Sequence, residues 1–362
     1  MKRFTFFALL SLMCSWVYAD VLTLKAGHPD TYVVKKGDTL WDISAMFLKD
    51  PWRWPKLWGA NPQIANPHLI YPGDHLTLVF IDGEPRLVNK PFVRNSPEGR
   101  IKSKGGAIPL VDLALIEPYL VQNRIVDAEW LQQQPMVLGG ESPSKHHVAD
   151  NVIYIRGNLP AGTKLGIYQP GRKFEDDTSG DALGQEAILT ATGRVTESGD
   201  VSKVLLLNNF RETKAGFRAF SVEDDAFMSA YLMPRAGTVS GAKVMASEKD
   251  IREMGKFDIA YIDRGRKDGV ETGQVFTIFK PGDEVVIGND NIPVLPGEQS
   301  AYDKLLAAMD SDSAVKLPNL YRGQLLVFKV FDKTSMGLIL VDKRPVRVGD
   351  ILTKPVTILK GE

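Results

Sequence analysis

The sequence predicts a multidomain α+β protein, in which a small β-α-α-β module precedes mainly-β units that are duplicated. Three observations support this fold class. Strand and helix signals alternate between Thr31 and Leu78, a stretch rich in proline, glycine, serine and charge follows at 82–107, and one order of strands and turns occurs twice after Asp150. At 362 residues the chain is long enough for several separate hydrophobic cores.

The chain opens with the pattern of a secretory signal peptide. Met1-Lys2-Arg3 is basic, the next ten residues are mostly apolar, and Val17-Tyr18-Ala19 ends in a small residue. This order predicts export to the periplasm or cell envelope, with the signal peptide 1–19 cleaved after Ala19. The apolar run is too short to span a bilayer, so no transmembrane span is expected in the mature chain. A lipoprotein signal at Cys14 is the alternative, but a methionine precedes it where a small residue is expected.

The composition excludes several classes of partner. Cleavage would remove Cys14, the only cysteine, so the exported chain is expected to lack disulfides and cysteine-based metal sites. Losing Lys2 and Arg3 would take the formal charge from zero to minus two, which gives no basic footprint for nucleic acid. We expect no cofactor, no metal and no nucleic-acid partner.

The first half of the module, predicted at 31–80, is a strand followed by a helix. The β-branched and aromatic run from Thr31 to Lys35 ends at the turn residues Gly37-Asp38, as a short strand does. Thr39 then caps a helix, with Asp42 three residues further on. Apolar residues continue at helical spacing through Phe47.

The second half is predicted to be a helix, a turn and a returning strand. Asp50-Pro51 opens the second helix, although Pro55 either marks its true first turn or kinks it. Asn61-Pro62 ends it, because the residue before a proline avoids the helical region. Tyr71-Pro72-Gly73-Asp74 is a turn before the strand from Leu76 to Phe80.

Four of the six tryptophans lie in this module, at positions 41, 52, 54 and 58. Trp41 and Trp58 lie among helix-periodic apolar residues and are predicted to belong to the core. For Trp52 and Trp54 two interpretations stay open, core packing and stacking against a sugar ring.

Three blocks of this module resemble a LysM domain. They read Tyr-x-Val-x-x-Gly-Asp-Thr-Leu-Trp-x-Ile-Ser, then Trp-x-x-Leu-Trp-x-x-Asn-Pro, then Asn-Pro-x-x-Ile-Tyr-Pro-Gly-x-x-Leu. The resemblance implies binding of N-acetylglucosamine-containing glycan, in peptidoglycan or chitin, in a shallow groove between two loops. The site residues implied are Gly37, Asp38, Thr39, Leu40, Asn66, Pro67, Leu69, Ile70, Tyr71, Pro72 and Gly73.

Between the module and the repeated part, the sequence predicts a linker and a helical connection. Residues 82–107 lack periodicity and are predicted to be a mobile linker. Residues 108–149 are predicted to be a short helical connecting region, with two helical pieces between Leu110 and Gln134, the first ending near Pro118 and the second opened by Asp127. The adjacent histidines His146-His147 point in different directions on any regular element, so no metal site is predicted there.

The repeated part is predicted to form two β units, at 150–220 and 257–355. Val152-Ile153-Tyr154-Ile155 corresponds to Ile259-Ala260-Tyr261-Ile262, and glycine and proline-glycine turns follow in register. This repetition predicts duplicated units that are barrel-like or sandwich-like. The second copy carries an insertion, 284–321, that contains a predicted short helix.

We predict that the protein is not an enzyme and has no catalytic residue. The exported chain lacks the cysteine of a cysteine peptidase, a His-Glu-x-x-His pair and a Gly-x-Ser-x-Gly elbow. The sequence favours a non-catalytic envelope protein that binds peptidoglycan and contacts a possible protein partner through its β units. Two alternatives stay open: a wall hydrolase with an unrecognised carboxylate site, and an envelope scaffold whose LysM-like module binds protein.

Overall fold

The computed structural model describes residues 22–58, 70–89, 115–116, 119, 123–222, 233–287, 292–295, 297–302 and 314–356. The chain divides into two compact units, Met1–Ile108 and Pro109–Glu362. The predicted signal peptide, most of the predicted linker, nearly all of the first helical piece of the connecting region and most of the short helix in the insertion lie outside the described residues.

The described residues of the N-terminal unit form a three-stranded antiparallel sheet with two short helices. Its elements are β1 (Thr31–Val33), α1 (Leu40–Phe47), a 3-10 turn (Pro51–Arg53), α2 (Trp54–Trp58), β2 (His75–Ile81) and β3 (Glu84–Asn89). Strand β2 lies between β1 and β3. The predicted β-α-α-β order is confirmed, and one further strand is added to it.

The helices form where the sequence places their caps. Thr39 is the N-cap of α1, and its hydroxyl accepts a hydrogen bond from the Asp42 amide at 3.1 Å. Leu40, Ile43 and Phe47 are fully buried, which confirms the apolar stripe. Pro55 lies in the first turn of α2, where its missing amide costs no helical hydrogen bond.

Strand β3 corrects the predicted start of the linker. All six of its residues pair with β2, from Glu84 opposite Ile81 to Asn89 opposite Leu76, and Leu87 is fully buried. Asp82 and Gly83 both have positive φ, 52° and 80°, which matches a two-residue hairpin turn. The linker prediction is therefore wrong up to Asn89, because charge and proline content conceal a hairpin.

In the described residues of the C-terminal unit the strands form two rings, and a short helix packs against the first ring. The first ring and its additions comprise β4 (Asn123–Val126), α3 (Ala128–Gln133), β5 (Met136–Gly140), β6 (Val152–Arg156), β7 (Lys164–Glu175), β8 (Ala182–Glu197), β9 (Val201–Asn209) and β10 (Arg218–Phe220). The second comprises β11 (Arg235–Ala236), β12 (Ala242–Ser247), β13 (Glu253–Met254), β14 (Ile259–Ile262), β15 (Gln274–Lys280), β16 (Glu284–Ile287), β17 (Pro293–Val294), β18 (Ala314–Lys316), β19 (Leu320–Val330), β20 (Ser335–Asp342), β21 (Val346–Arg347) and β22 (Ile351–Thr353).

Each ring is a closed barrel of six antiparallel strands. In the first, the order around the barrel is β5, β6, β9, β8, β7 and β10, with β10 pairing back to β5. In the second, the order is β12, β14, β20, β19, β15 and β22, with β22 pairing back to β12. Closure leaves no free sheet edge in either barrel. The prediction of mainly-β, barrel-like units is confirmed.

The two barrels share strand register as well as strand order. Val152 pairs with Leu205 in the first barrel, as Ile259 pairs with Leu338 in the second. The turn glycines also agree, since φ is 85° at Gly162 and 90° at Gly273, and 89° at Gly216 and 88° at Gly349. These positive φ values favour glycine, so the repeated glycines are explained by backbone geometry.

The predicted helical connection and the predicted starts of both β units need correction. Helix α3 is confirmed, and its N-cap Asp127 accepts a hydrogen bond from the Trp130 amide at 2.9 Å. However, β4 and β5 also lie in residues 108–149, and β5 belongs to the first barrel. Strand β12 likewise precedes residue 257. Both β5 and β12 carry a bulge, which breaks the alternation that would have predicted a strand.

A buried polar cluster joins the two barrels. The Tyr261 hydroxyl on β14 donates to the Glu186 carboxylate on β8 at 2.7 Å, and the Asn123 amide on β4 donates to that hydroxyl at 3.3 Å. Arg172 on β7 donates to the Ser247 carbonyl at 2.7 Å, and its guanidinium lies 5.3 Å from the centre of the Tyr261 ring. We call these five residues the inter-barrel cluster.

The far half of the β7–β8 hairpin lies against the second barrel. Lys243 donates to the Thr178 hydroxyl at 2.8 Å, and Arg264 pairs with Asp176 at 3.3 Å. Lys333 donates to the Ala182 carbonyl at 2.6 Å. We call this far half of the β7–β8 hairpin the arm of the first barrel, and its contacts connect the first barrel to the second.

Candidate functional site

Asp38 shapes the loop between β1 and α1. Its carboxylate accepts hydrogen bonds from the Tyr32 hydroxyl and from the Lys35 amide, both at 2.8 Å. Burial and the bond to Asp38 raise the pKa of Tyr32 to about 12. Gly37, with φ of 94°, makes the turn that lets the carboxylate reach back to residue 35.

A second loop, before β2, is closed in the same way. The Asp74 carboxylate accepts a hydrogen bond from the Tyr71 amide at 2.9 Å, and the Asp74 amide donates to the Tyr71 carbonyl at 3.0 Å. Gly73, with φ of 97°, occupies the turn position that requires a left-handed backbone.

Val34 joins the two loops. Its amide donates to the Asp74 carbonyl at 3.0 Å, and its carbonyl accepts from the Gly73 amide at 2.7 Å. Val34 itself is buried, so this pair of bonds lies beneath the surface. The structure thus brings the two sequence-predicted loops side by side, at the end of the sheet where β1 stops.

The predicted site residues differ in how much of their surface is accessible. Gly37, Pro72 and Gly73 are exposed, and Asp38 and Tyr71 are half-buried. Thr39 is nearly buried by its capping role, while Leu40 and Ile70 have no exposed surface and support the loops from the core. Asn66, Pro67 and Leu69 lie outside the described residues.

The tryptophans are mostly core residues. Trp41 and Trp58 are buried, as predicted, and Trp54 is completely buried. Trp52 is half-buried, with the Arg53 guanidinium 5.7 Å from its ring centre. Stacking on a sugar is therefore excluded for Trp54 in this conformation, because no face of its ring reaches the surface.

Tyr32 and Val34 organise the site, although the sequence pattern did not identify them as site residues. Both lie in the Tyr-x-Val block, where their β-propensity suggests only a strand. Their contacts run to Asp38 and to Gly73 and Asp74, so only the folded chain reveals them.

The described part of the C-terminal unit has no arrangement typical of a metal centre. Among the described residues there is no group of three or more His, Cys, Asp or Glu side chains placed to hold a metal ion. His146 pairs with Glu212 on the surface. His147 is buried against Gly140, where an added Cβ would lie 2.4 Å from the imidazole ring.

Buried carboxylates in this unit are engaged in structural bonds. Glu186 accepts from Tyr261, and Asp263 accepts from the Lys243 amide at 2.6 Å. Asp350 accepts from the Arg322 guanidinium at 3.1 Å and from the Arg347 amide at 2.8 Å. Burial raises the pKa of Asp263 and of Asp350, although their hydrogen bonds oppose it.

The N-terminal unit thus has the architecture of a small β-α-α-β binding module with two adjacent loops at one end of its sheet. Comparison with known families gives this module its name: residues 32–79 match the LysM domain family, and they form a LysM domain. The match ends at residue 79 and covers a small part of the chain.

One curated relative matches a short stretch of the chain. The uncharacterized protein YqbP of Bacillus subtilis strain 168 is 42% identical over 60 residues, which cover 14% of this chain and 27% of that protein. The chain therefore spans about a quarter of the length of the relative that it matches.

A LysM domain implies binding of glycan of the peptidoglycan or chitin type. LysM proteins are typically associated with the cell wall or exported. No helix in the described ranges is both long and apolar enough to cross a membrane.

Proposed function

We propose that this chain is a non-catalytic cell-envelope protein that is anchored on peptidoglycan through its LysM domain. The observation that carries the proposal is the LysM match at residues 32–79, together with the two loops that Val34 holds side by side. Its ligand is the N-acetylglucosamine-containing glycan.

The glycan is bound at the exposed residues of the two loops. Gly37 and Gly73 carry no side chain and have open space where a Cβ would be, so a sugar can approach the backbone closely. Tyr71 and Pro72 supply apolar surface for the methyl group of an acetamido substituent. Asp38 keeps the first loop in shape, since its carboxylate is already occupied by two donors from the protein.

The rest of the chain is proposed to act as a platform that performs no chemistry. The buried carboxylates of the described C-terminal residues hold the fold together, which is the opposite of a carboxylate pair left open to substrate. The shared register of the barrels supports a duplication of one unit, and the inter-barrel cluster joins the two copies. This platform presents its surface to an envelope protein partner.

Affinity considerations also support a tether. A single shallow site on a neutral sugar offers few charge-assisted bonds, so binding in about the micromolar to millimolar range is expected. Firm retention on the wall then depends on avidity. Export through the signal peptide 1–19, cleaved after Ala19, places the protein where its ligand is.

The test is co-sedimentation of the purified protein with insoluble peptidoglycan, with soluble N-acetylglucosamine oligomers as competitor. Tyr71→Ala should reduce the pelleted fraction several-fold. Phe80→Ala is the matched control, because Phe80 is 64% exposed in the same unit but lies at the other end of β2, beside the hairpin turn. Equal binding of both variants, or no competition by the oligomers, would contradict the proposed site.

A further inference from the structure

On the second barrel, the outer face of β14 and β20 is covered, and Tyr261 lies on this face. The residues on either side of Tyr261 along β14, Ala260 and Ile262, point into the barrel core, so Tyr261 points outward. It is nevertheless fully buried, because the arm of the first barrel lies over it. The neighbouring outward residues are buried too, namely Ile259, Met336, Leu338 and Leu340.

The same face of the first barrel is open. Tyr154 holds the position of Tyr261, since it lies between the core residues Ile153 and Ile155 on the corresponding strand β6. Tyr154 is only half-buried. The residues that correspond to the covered set are half-buried or exposed as well, namely Val152, Lys203, Leu205 and Leu207, the last of which is 37% exposed.

The second barrel also has an arm at the position from which the first barrel extends its own. The β15–β19 hairpin pairs as far as Lys280 and Leu320, and β16 and β18 resume at Glu284 and Lys316, four residues further along each strand. Strands β16 and β18 therefore continue the hairpin outward, as the far half of β7–β8 does in the first barrel.

This second arm carries exposed apolar side chains. They include Ile292, Leu295, Val315 and Leu317, and Val315 is 46% exposed. Exposed apolar side chains grouped on one projecting element indicate a contact surface.

We propose that a second copy of this chain covers the outer face of the first barrel around Tyr154, on strands β6 and β9, which we call the Tyr154 face. The arm of one copy, made of β16 to β18, packs across β6 and β9 of the first barrel of the next copy, repeating between molecules the contact that the chain makes within itself. Because the two surfaces differ, the contact is head-to-tail and can continue from copy to copy. Such a row would place several LysM domains along one glycan surface, which supplies avidity.

The experiment is sedimentation velocity of the purified full chain over a wide concentration range. The expected result is a weight-average mass that rises with concentration. Leu207→Asp places a charge on the Tyr154 face, and Val315→Asp places a charge on the arm of the second barrel. Each variant alone should therefore remain monomeric. Val348→Asp is the control: Val348 is 49% exposed but lies outside both surfaces, and this variant should associate as the original chain does.

The decisive step is to mix the two monomeric variants. The Leu207→Asp chain keeps its arm and the Val315→Asp chain keeps its face, so a head-to-tail contact predicts dimers and nothing larger. A mixture that stays monomeric while the original chain associates would overturn the geometry. An original chain that stays monomeric throughout would overturn the proposal and leave the Tyr154 face to a different protein. Thermal melts by circular dichroism must show that both variants are folded.

Discussion

Removing one oxygen atom from Tyr261 should destabilise the C-terminal unit, whereas the same change at Tyr154 should not. In Tyr261→Phe the carboxylate of Glu186, which is 3% exposed, loses the donor that lies 2.7 Å away. Losing a hydrogen bond to a buried charged group costs about 1.5–3 kcal/mol of unfolding free energy. Burial and the adjacent Glu186 also raise the pKa of Tyr261, so this hydroxyl stays protonated as a donor at neutral pH.

The control occupies the equivalent position in the first barrel. The hydroxyl of Tyr154 has no hydrogen-bond partner among the described residues, so Tyr154→Phe should change stability by about 0.5 kcal/mol or less. For a unit of this size, the loss of about 1.5–3 kcal/mol expected for Tyr261→Phe lowers the melting temperature by about 3–12 °C. No such decrease is expected for Tyr154→Phe.

Differential scanning calorimetry of the full chain measures this difference directly. The transition of the LysM unit should be unchanged in both variants and so serves as an internal standard. Equal melting temperatures for Tyr261→Phe and Tyr154→Phe would refute the inter-barrel cluster as a stabilising contact.

Four further outcomes are expected. Asp38→Ala removes two hydrogen bonds and should lower the free energy of unfolding of the LysM unit by about 2 kcal/mol, whereas Tyr32→Phe removes one and should lower it by about 1 kcal/mol. Urea titration measures both changes. Gly162→Ala meets no atom within 4 Å and should cost about 1–2 kcal/mol for its left-handed backbone, whereas Gly273→Ala also places a Cβ 2.4 Å from the Met233 carbonyl and should cost clearly more. Burial, together with the nearby His146, lowers the pKa of His147 below its ordinary 6.5, so the unfolded chain binds the proton more tightly than the folded chain does. The free energy of unfolding should therefore keep the whole contribution of this histidine above pH 6.5 and decrease as the pH falls below that value. His147→Met should remove this part of the pH dependence in thermal melts from about pH 5 to 8. The purified protein should release no muropeptides from peptidoglycan, and soluble fragments abolished by one acidic substitution would instead establish a hydrolase.

Methionine is the chosen replacement because the second barrel already uses it there. His147 bridges to Thr213 as Met254 pairs with Val346, and Met254 is fully buried. His147 therefore occupies, in the first barrel, the buried position that Met254 occupies in the second. If the variant kept the pH dependence, another group would be responsible for it.

Local signals in the sequence predicted the parts of the fold that depend on neighbouring residues. The cap at Thr39, the cap at Asp127 and the turn at Gly73 were all identified, because each is set within four residues. Strand β3 was missed although Asp82-Gly83 is a hairpin signal, since the charged and proline-containing residues after it resemble a linker.

Long-range contacts could not be predicted in this way. Tyr154 and Tyr261 occupy the same position in the two barrels, yet one is half-buried and the other completely buried. Their burial depends on whether an arm lies over them, and no local pattern encodes that. The bonds between Val34 and the second loop likewise depend on strand register, which the folded chain sets.

The central claim, that the LysM domain alone holds the protein on the wall, is tested most directly by comparing two chains in one peptidoglycan sedimentation assay. One is the full chain, and the other begins at Pro109, where the second compact unit starts. The full chain should pellet with peptidoglycan, while the shorter chain should melt cooperatively and remain in the supernatant. If the chain from Pro109 pelleted as strongly as the full chain, the barrels would bind the wall themselves and the tether would be contradicted.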